Sequence, residues 1–590
     1  MLVPARPAAG HDDGVSTALP TGPVRRWARS VRPHGDDLKH DVVAAVPDAI
    51  SAVPDGMACA VLVGVNPVYG LYASFAGRIG GGLSASTRLM VITTTSAAAL
   101  AAGSALSGVT GPDRAKALFL LTLLSGGLML VAGLFRLGRY VRFVSHSVMI
   151  GFLTGVAVNI VLGQLRSLTG APAEGSFALA RAVDVVTHPG RIDLASLFVG
   201  LGALAIMVAL AHTRLANLSA VIALVVPTGV MVAAGLDSVA RVDDVGTIPG
   251  GFPRPALPDL SQLSFSLVVG ALAVAAIVLV QGAGVAESVP NADGTLAITD
   301  QDFVAQGVGN LASGFFKGQP VGGSVGATAL NRTAGARSRW ASILSGVLVL
   351  AILVVFAGVV GNVALPTLAA VLIYAAVRSL RWAHIVTIWR TGLTSQVAMT
   401  ATFVATLFLP IAAAVGVGVA LSLMMQLNRE ALDLRIVQLV RLPDGRFEEH
   451  PAPPHPLSHA VTLLDVYGSL YYAGARTLQA RLPDPTGARS PAVVLRLRGR
   501  TALGATFIVV VKQYAERVAA VGGRLFLSGV DPDLYAQLLR TGAISSEARG
   551  SIFESTVVVG ESSTVAYAAA EAWLGGAAPR PSDPPDDVRG

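Results

Sequence analysis

Two short stretches in an otherwise apolar chain carry residues suited to holding an anion: Thr93-Thr94-Thr95 and Gly322-Gly323-Ser324. The first lies near the start of an apolar segment at 88–106. The second opens a segment at 322–332 that is too short to cross a membrane, which takes about 20 apolar residues. A helix that begins inside the membrane presents unpaired N–H groups and the positive end of its dipole, and both favour an anion. Hydroxyls add donors, and glycine lets a ligand reach the backbone. The same small residues also permit close helix packing, so residue type alone leaves both readings open.

Two acids fall at membrane depth, Asp55 beside Pro54 and Glu287. Buried charge is costly there, which makes either a candidate for carrying a coupling proton. A hinge or cap beside Pro54 and an interfacial place for Glu287 are the plainer alternatives. Lys317 reads as a snorkelling side chain and His146 as structural. Cys59 is the single cysteine, which excludes a disulfide framework or a zinc cluster within one chain. The sequence offers no nucleophile–base set and no metal cluster, so neither an enzyme, a cofactor nor a metal is expected.

The elements that must position these residues follow from composition. Of 590 residues, 53% are hydrophobic and 13% charged, too few charges to cover a soluble fold of this length. Lipid is therefore the expected solvent. The net charge of +7 sits in short loops between apolar runs, which argues against nucleic acid. Fourteen apolar segments between 43 and 427 read as spans of one transmembrane domain over 41–428. Several cannot cross alone, and such segments are tolerated only inside protein or facing a cavity. Arginines gather in alternate loops, at 136–142, 214, 332–339 and 378–390, which places both termini in the cytoplasm. Residues 1–40 and 576–590 read as disordered arms and 429–456 as a linker. Residues 457–575 alternate strand-like and helix-like runs, among them Val461–Val466, Ala492–Leu497, Arg524–Ser528 and Ser555–Val559, and predict a small cytoplasmic α/β domain.

Three stretches resemble the SulP sulfate-permease family. They are Ala52-Val53-Pro54-Asp55-Gly56-Met57-Ala58 followed by Pro67-Val68-Tyr69-Gly70-Leu71-Tyr72; Gln306-Gly307-Val308-Gly309-Asn310-Leu311-Ala312-Ser313-Gly314-Phe315-Phe316; and Pro320-Val321-Gly322-Gly323-Ser324 with Asn331 after it. Their order, and the α/β tail, extend the resemblance over about residues 40–575. It implies an α-helical polytopic membrane protein of fourteen spans in two inverted seven-span repeats, followed by a STAS-like domain. It also implies that spans three and ten are half-helices whose N-termini meet in mid-membrane, with their amides close to Thr94 and Ser324.

The function implied is secondary active transport of inorganic anions (sulfate, bicarbonate or chloride) by alternating access, in a multi-pass protein of the plasma membrane and as a homodimer. The anion site expected from the resemblance takes in Asp55, Cys59, Thr93, Thr94, Thr95, Gln281, Gly322, Gly323, Ser324 and Val325. Two departures bear on it. An arginine common in the family is here Ala327, and an acid that holds sodium in bicarbonate–sodium members is here Gln281, with Val285 a turn later. Sodium coupling of that kind is therefore not expected. In the tail, Gly504-Ala505-Thr506-Phe507 lacks the acid, serine and glycine of a phosphorylatable STAS turn, so a scaffold, a dimer contact or a cytoplasmic partner is preferred there. A nucleobase carrier of the same fold, and a signalling protein merely anchored by its spans, are the competing readings.

Overall fold

The structure, a computed structural model, describes residues 31–576 apart from 32, 34, 176, 214, 247–250, 290, 292–294, 433, 469, 471, 501–503 and 541–549. Most of the N-terminal arm and the C-terminal tail lie outside the described residues. The chain divides into two compact units, 1–422 and 423–590.

The first unit is helical. In chain order it comprises α1 (Gly35–Val63), α2 (Val68–Ser84), β1 (Ile92–Thr94), α3 (Ser96–Ala105), α4 (Pro112–Leu134), α5 (His146–Thr169), α6 (Ala178–Thr187), α7 (Leu194–Leu210) and α8 (Ser219–Ala233). There follow α9 (Phe265–Ser288), α10 (Thr299–Phe315), β2 (Val321–Gly323), α11 (Val325–Thr333), α12 (Trp340–Gly361), α13 (Leu365–Ser379), α14 (Trp382–Thr391), α15 (Leu393–Phe408) and α16 (Ile411–Leu432), whose last ten residues belong to the second unit. Among the described residues, five stretches are long and apolar enough to cross a membrane: 37–63, 112–134, 146–169, 265–287 and 365–391. The first helix begins at Gly35, inside the stretch read from sequence as a disordered arm.

Both interrupted segments resolve into a three-residue strand and a short helix. At about 1.5 Å per residue, α3 and α11 reach only about half of a 30 Å membrane core. The caps are alike: Thr95 Oγ1 accepts the Ala98 amide at 3.3 Å, and Ser324 Oγ accepts the Ala327 amide at 3.3 Å. Carbonyls left open at the far ends are also met. Arg114 donates to the Leu106 carbonyl at 2.6 Å, and to that of Val63 at the end of α1 at 2.7 Å. After α11 the chain turns at Gly335, whose φ of +88° suits glycine.

The second unit holds a six-stranded sheet in the order β4-β3-β5-β6-β7-β8, where β3 is Arg435–Arg441, β4 Phe447–Pro451, β5 Val461–Tyr467, β6 Ala492–Arg496, β7 Arg524–Val530 and β8 Ile552–Glu554. Strands β5 to β8 run parallel, and β3 is antiparallel to both its neighbours. Alternate residues serve opposite faces, as the two-residue period of a strand requires. Leu464, Val493 and Leu495 pack under Phe507 and Val511 of α18 (Ala505–Ala520), the second helix of this unit after α17 (Tyr472–Arg481). Leu463, Val494 and Phe526 pack under Ala566 and Ala570 of α20 (Glu561–Leu574), which follows α19 (Pro532–Arg540).

Two sequence expectations change here. The supposed linker contains β3 and β4, and β4 is hard to read because Phe-Glu-Glu-His-Pro is a polar edge strand with little buried surface. The last strand is Ile552–Glu554; Val557, Val558 and Val559 are exposed and outside it, so their β-branched run misled.

Candidate anion site at a strand crossing

Strands β1 and β2 pair antiparallel, with Ile92 opposite Gly323, Thr93 opposite Gly322 and Thr94 opposite Val321. The Ser324 amide continues the ladder to the Val91 carbonyl at 2.9 Å. The two half-helices therefore do not start beside each other with Thr94 and Ser324 close together, the arrangement that the resemblance implied. The caps Thr95 and Ser324 stand at opposite ends of a two-stranded ribbon, from which α3 and α11 depart.

An irregular backbone in a membrane interior needs its polar groups met inside the protein. One face of α10 does this. Asn310 Nδ2 donates to the Val321 carbonyl at 2.7 Å while its Oδ1 accepts the Val321 amide at 2.9 Å. Gln306 Oε1 accepts the Gly323 amide at 3.3 Å, and Ser313 Oγ donates to the Gln319 carbonyl at 2.7 Å. One turn before Gln306, Asp302 accepts the Ser86 and Thr87 amides at 2.7 and 3.0 Å. Residues 302, 306, 310 and 313 repeat at helical spacing, and that polar stripe was the signal available in the sequence.

Gly322 and Gly323 consequently do not present free amides to a cavity. The Gly323 amide is used by Gln306, and a side chain at 323 would lie 3.1 Å from Gly282 Cα and 3.2 Å from Met90 Sδ. At 322 it would lie 2.9 Å from Val278 Cγ1. These glycines seat the ribbon against α9, which supports the close-packing alternative at these two positions.

The hydroxyls of β1 fan out to three helices. Thr93 accepts from buried Arg78 of α2. Thr94 Oγ1 lies 3.4 Å from Ser74 Oγ on the same helix and beside Cys59 of α1. Thr95 Oγ1 donates to Gln281 Oε1 of α9 at 3.4 Å. Asp55, four residues before Cys59, is exposed although Pro54 and residues 56–60 around it are buried. It lies within electrostatic reach of Arg78 and Asp48.

A cavity runs beside this group, lined by Gln281, Gly284, Val325, Met149, Phe152 and Arg381. Val325 is exposed to it. Glu287 is not gathered with Asp55. It stands six residues beyond Gln281, near His146 and Arg381, where the His146 and His384 rings meet at 3.1 Å. Thus Asp55, Cys59, Thr93, Thr94, Thr95 and Gln281 come together, Val325 joins across the cavity, Ser324 caps α11 at the other end of the ribbon, and Glu287 lies apart. Sequence reasoning missed Arg78, Asp48, Gln306 and Asn310.

Short helices entered from paired strands, wrapped by long apolar helices around an internal cavity, define a multi-pass membrane transporter. Residues 38–402 match the profile of the sulfate permease family, and the chain belongs to that family. Among curated relatives, it is 28% identical over 434 residues to "Probable sulfate transporter Rv1739c" of Mycobacterium tuberculosis, covering 73% of this chain and 75% of that one. To the chloroplastic sulfate transporter 4.1 of Arabidopsis thaliana it is 24% identical, covering 88% and 79%. To human solute carrier family 26 member 6 it is 26% identical, covering 70% and 56%. The fold matches the murine Slc26a9 anion transporter, solved in the inward-facing state, with a TM-score of 0.78 at 19% identity over 93% of this chain and 94% of that one. The transmembrane domain of the cyanobacterial bicarbonate transporter BicA gives 0.57 at 18% identity, covering 66% and 98%.

Proposed function

We propose that this chain carries small inorganic anions, of the sulfate, bicarbonate or chloride class, across a membrane by alternating access. One observation carries the reading: the N-terminus of α3, with the hydroxyls of Thr93, Thr94 and Thr95, converges with Asp55, Cys59 and Gln281 beside a cavity that Val325 of α11 also lines. Hydroxyl donors and the positive end of a helix dipole suit a small anion. Membership of the sulfate permease family supports anions over nucleobases, and a strand-crossed interior is far more than a signalling anchor requires.

In this reading the helical unit forms fourteen spans in two inverted repeats of seven, with both termini cytoplasmic in the plasma membrane. A core of spans 1–4 and 8–11 moves against the remaining spans, and the protein works as a homodimer. Asp55 carries the coupling proton, because an ionised carboxylate beside the site repels the cargo and protonation removes that repulsion. By linkage, anion and proton then raise each other's affinity. Gln281 and Val285 offer no carboxylate–hydroxyl pair, so sodium is not required. The second unit acts as a STAS-like scaffold, dimer contact or docking module for a cytoplasmic partner, without a phosphorylation switch at Thr506.

The experiment is anion uptake by purified protein in proteoliposomes under imposed proton and sodium gradients. Asp55→Asn is expected to uncouple uptake from the proton gradient while leaving exchange of anions across the membrane. Proton-driven uptake of wild-type magnitude in that variant would remove Asp55 from the coupling role.

A further inference from the structure

Arg78 of α2 and Asp48 of α1 form an ion pair in the interior of the helical unit. Nε donates to Asp48 Oδ2 at 3.2 Å and one terminal nitrogen to Oδ1 at 3.3 Å, with side chains 1% and 0% exposed. The other terminal nitrogen donates to the Ser74 carbonyl at 3.4 Å and to Thr93 Oγ1. A guanidinium stays charged in a protein, so a permanent cation stands one hydroxyl away from β1.

The bond to Thr93 has a direction. Arginine can only donate, so Thr93 Oγ1 is the acceptor, and its single hydrogen remains for another acceptor. An anion bound at the crossing would be such an acceptor, and the guanidinium behind the hydroxyl would polarise that bond. Asp48 offsets the charge of Arg78, and Asp55, two helical turns on, lies within electrostatic reach of both. On α11 position 327 is alanine, and the basic side chain of that helix, Arg332, sits in its last turn, away from the ribbon end.

We propose that Arg78, clamped by Asp48, is the fixed cation of the anion site and sets its affinity and charge preference through Thr93. It is a positioning residue, since it reaches the cargo through that hydroxyl. The inference rests on the anion-site reading above. It differs from a structural brace in one respect: the brace requires only that the two charges cancel, whereas the proposed role requires the guanidinium itself.

Removing one partner leaves a buried charge without its mate, so the test uses the paired neutral variant. Full-length protein carrying R78Q and D48N together is reconstituted beside the wild type. Sulfate flux gives KM and maximal rate, chloride serves as monovalent competitor, and thermal unfolding in detergent reports the fold. The expected result is a folded protein whose sulfate KM rises about tenfold, with a smaller change for chloride, the scale of one charge-assisted hydrogen bond. Asp48→Asn alone keeps an acceptor for Arg78 but unmasks its charge, and sulfate KM is expected to fall. Should the double variant fail to fold, Arg78→Lys, which keeps the buried charges paired but lacks the guanidinium fork, decides: a raised sulfate KM supports the role of the guanidinium and an unchanged KM overturns it. An unchanged KM in the folded double variant, or in Asp48→Asn, would make the pair a brace and overturn the proposal. Wild-type protein that moves no anion would overturn the site reading itself, a separate result.

Discussion

Thr95 and Ser324 hold equivalent places, each closing the first turn of a half-helix, yet they stand in different surroundings. Thr95 also reaches Gln281 at the cavity, and Thr95→Ala removes both contacts. Loss of such a cap costs about 1 kcal/mol, so detergent-extracted thermal stability is expected to fall modestly while anion KM rises. Stability lost with KM unchanged would confine Thr95 to capping. Gly323 behaves differently. A leucine there meets Gly282 and Met90, so flux and stability are expected to fall together in Gly323→Leu. A folded, wild-type-stable variant without flux would return Gly323 to the anion site. The sequence marked Gly322 and Gly323 as special but left two reasons for it, and the Gly323–Gln306 bond favours the packing reading in a way no local pattern reveals. Arg78 and Asp48 were invisible for a related reason: thirty residues separate them, and a lone charge in an apolar run does not name its partner.

Elements were legible wherever hydrophobic length or caps dominate. The two interrupted segments showed as anomalies because one was too short and the other opened on hydroxyls, and both proved to be strand–helix units. What the sequence could not show was that the strands pair, since three residues carry no period of their own. Asn310 closes both hydrogen bonds of Val321, and Asn310→Ala would leave a buried amide and carbonyl unmet. At about 1–3 kcal/mol for each such group, unfolding is expected to shift by several degrees, with flux lost. Unaltered melting would show that the ribbon does not depend on α10.

In the second unit, β3 and the edge strand β4 escaped notice because their burial is partial. Asp484 there accepts the Thr486 amide and hydroxyl and pairs with Arg517 at 2.6 Å, which holds its carboxyl below the ordinary 3.8. A lowered folded value means that its contribution is present above about pH 4 and fades as pH falls through the folded value. Protection of the amides around residues 484–488, measured against their intrinsic exchange rates, should therefore fall on acidification in the wild type and be low at every pH in Asp484→Ala. Equal protection in both at neutral pH would contradict that assignment.

At the scale of the whole molecule, a scaffold of long apolar helices in the first unit encloses a small polar interior. The long helices exclude water and fix α1, α2, α9 and α10 around the ribbon. The ribbon in turn gives α3 and α11 their starting points within the helical unit. Composition and resemblance conveyed this plan, including the family to which the chain belongs. The burial of an arginine at its centre came only from the three-dimensional arrangement.

The central claim is that this interior passes inorganic anions without sodium. Its most direct test is uptake of labelled sulfate into proteoliposomes holding the purified full-length chain, with bicarbonate and chloride as competitors and proton or sodium gradients imposed separately. The account predicts saturable uptake, inhibition by at least one competing anion, stimulation by an inward proton gradient and indifference to sodium. Uptake that requires sodium and is abolished in Gln281→Ala, or no anion flux at all from folded protein, would contradict it.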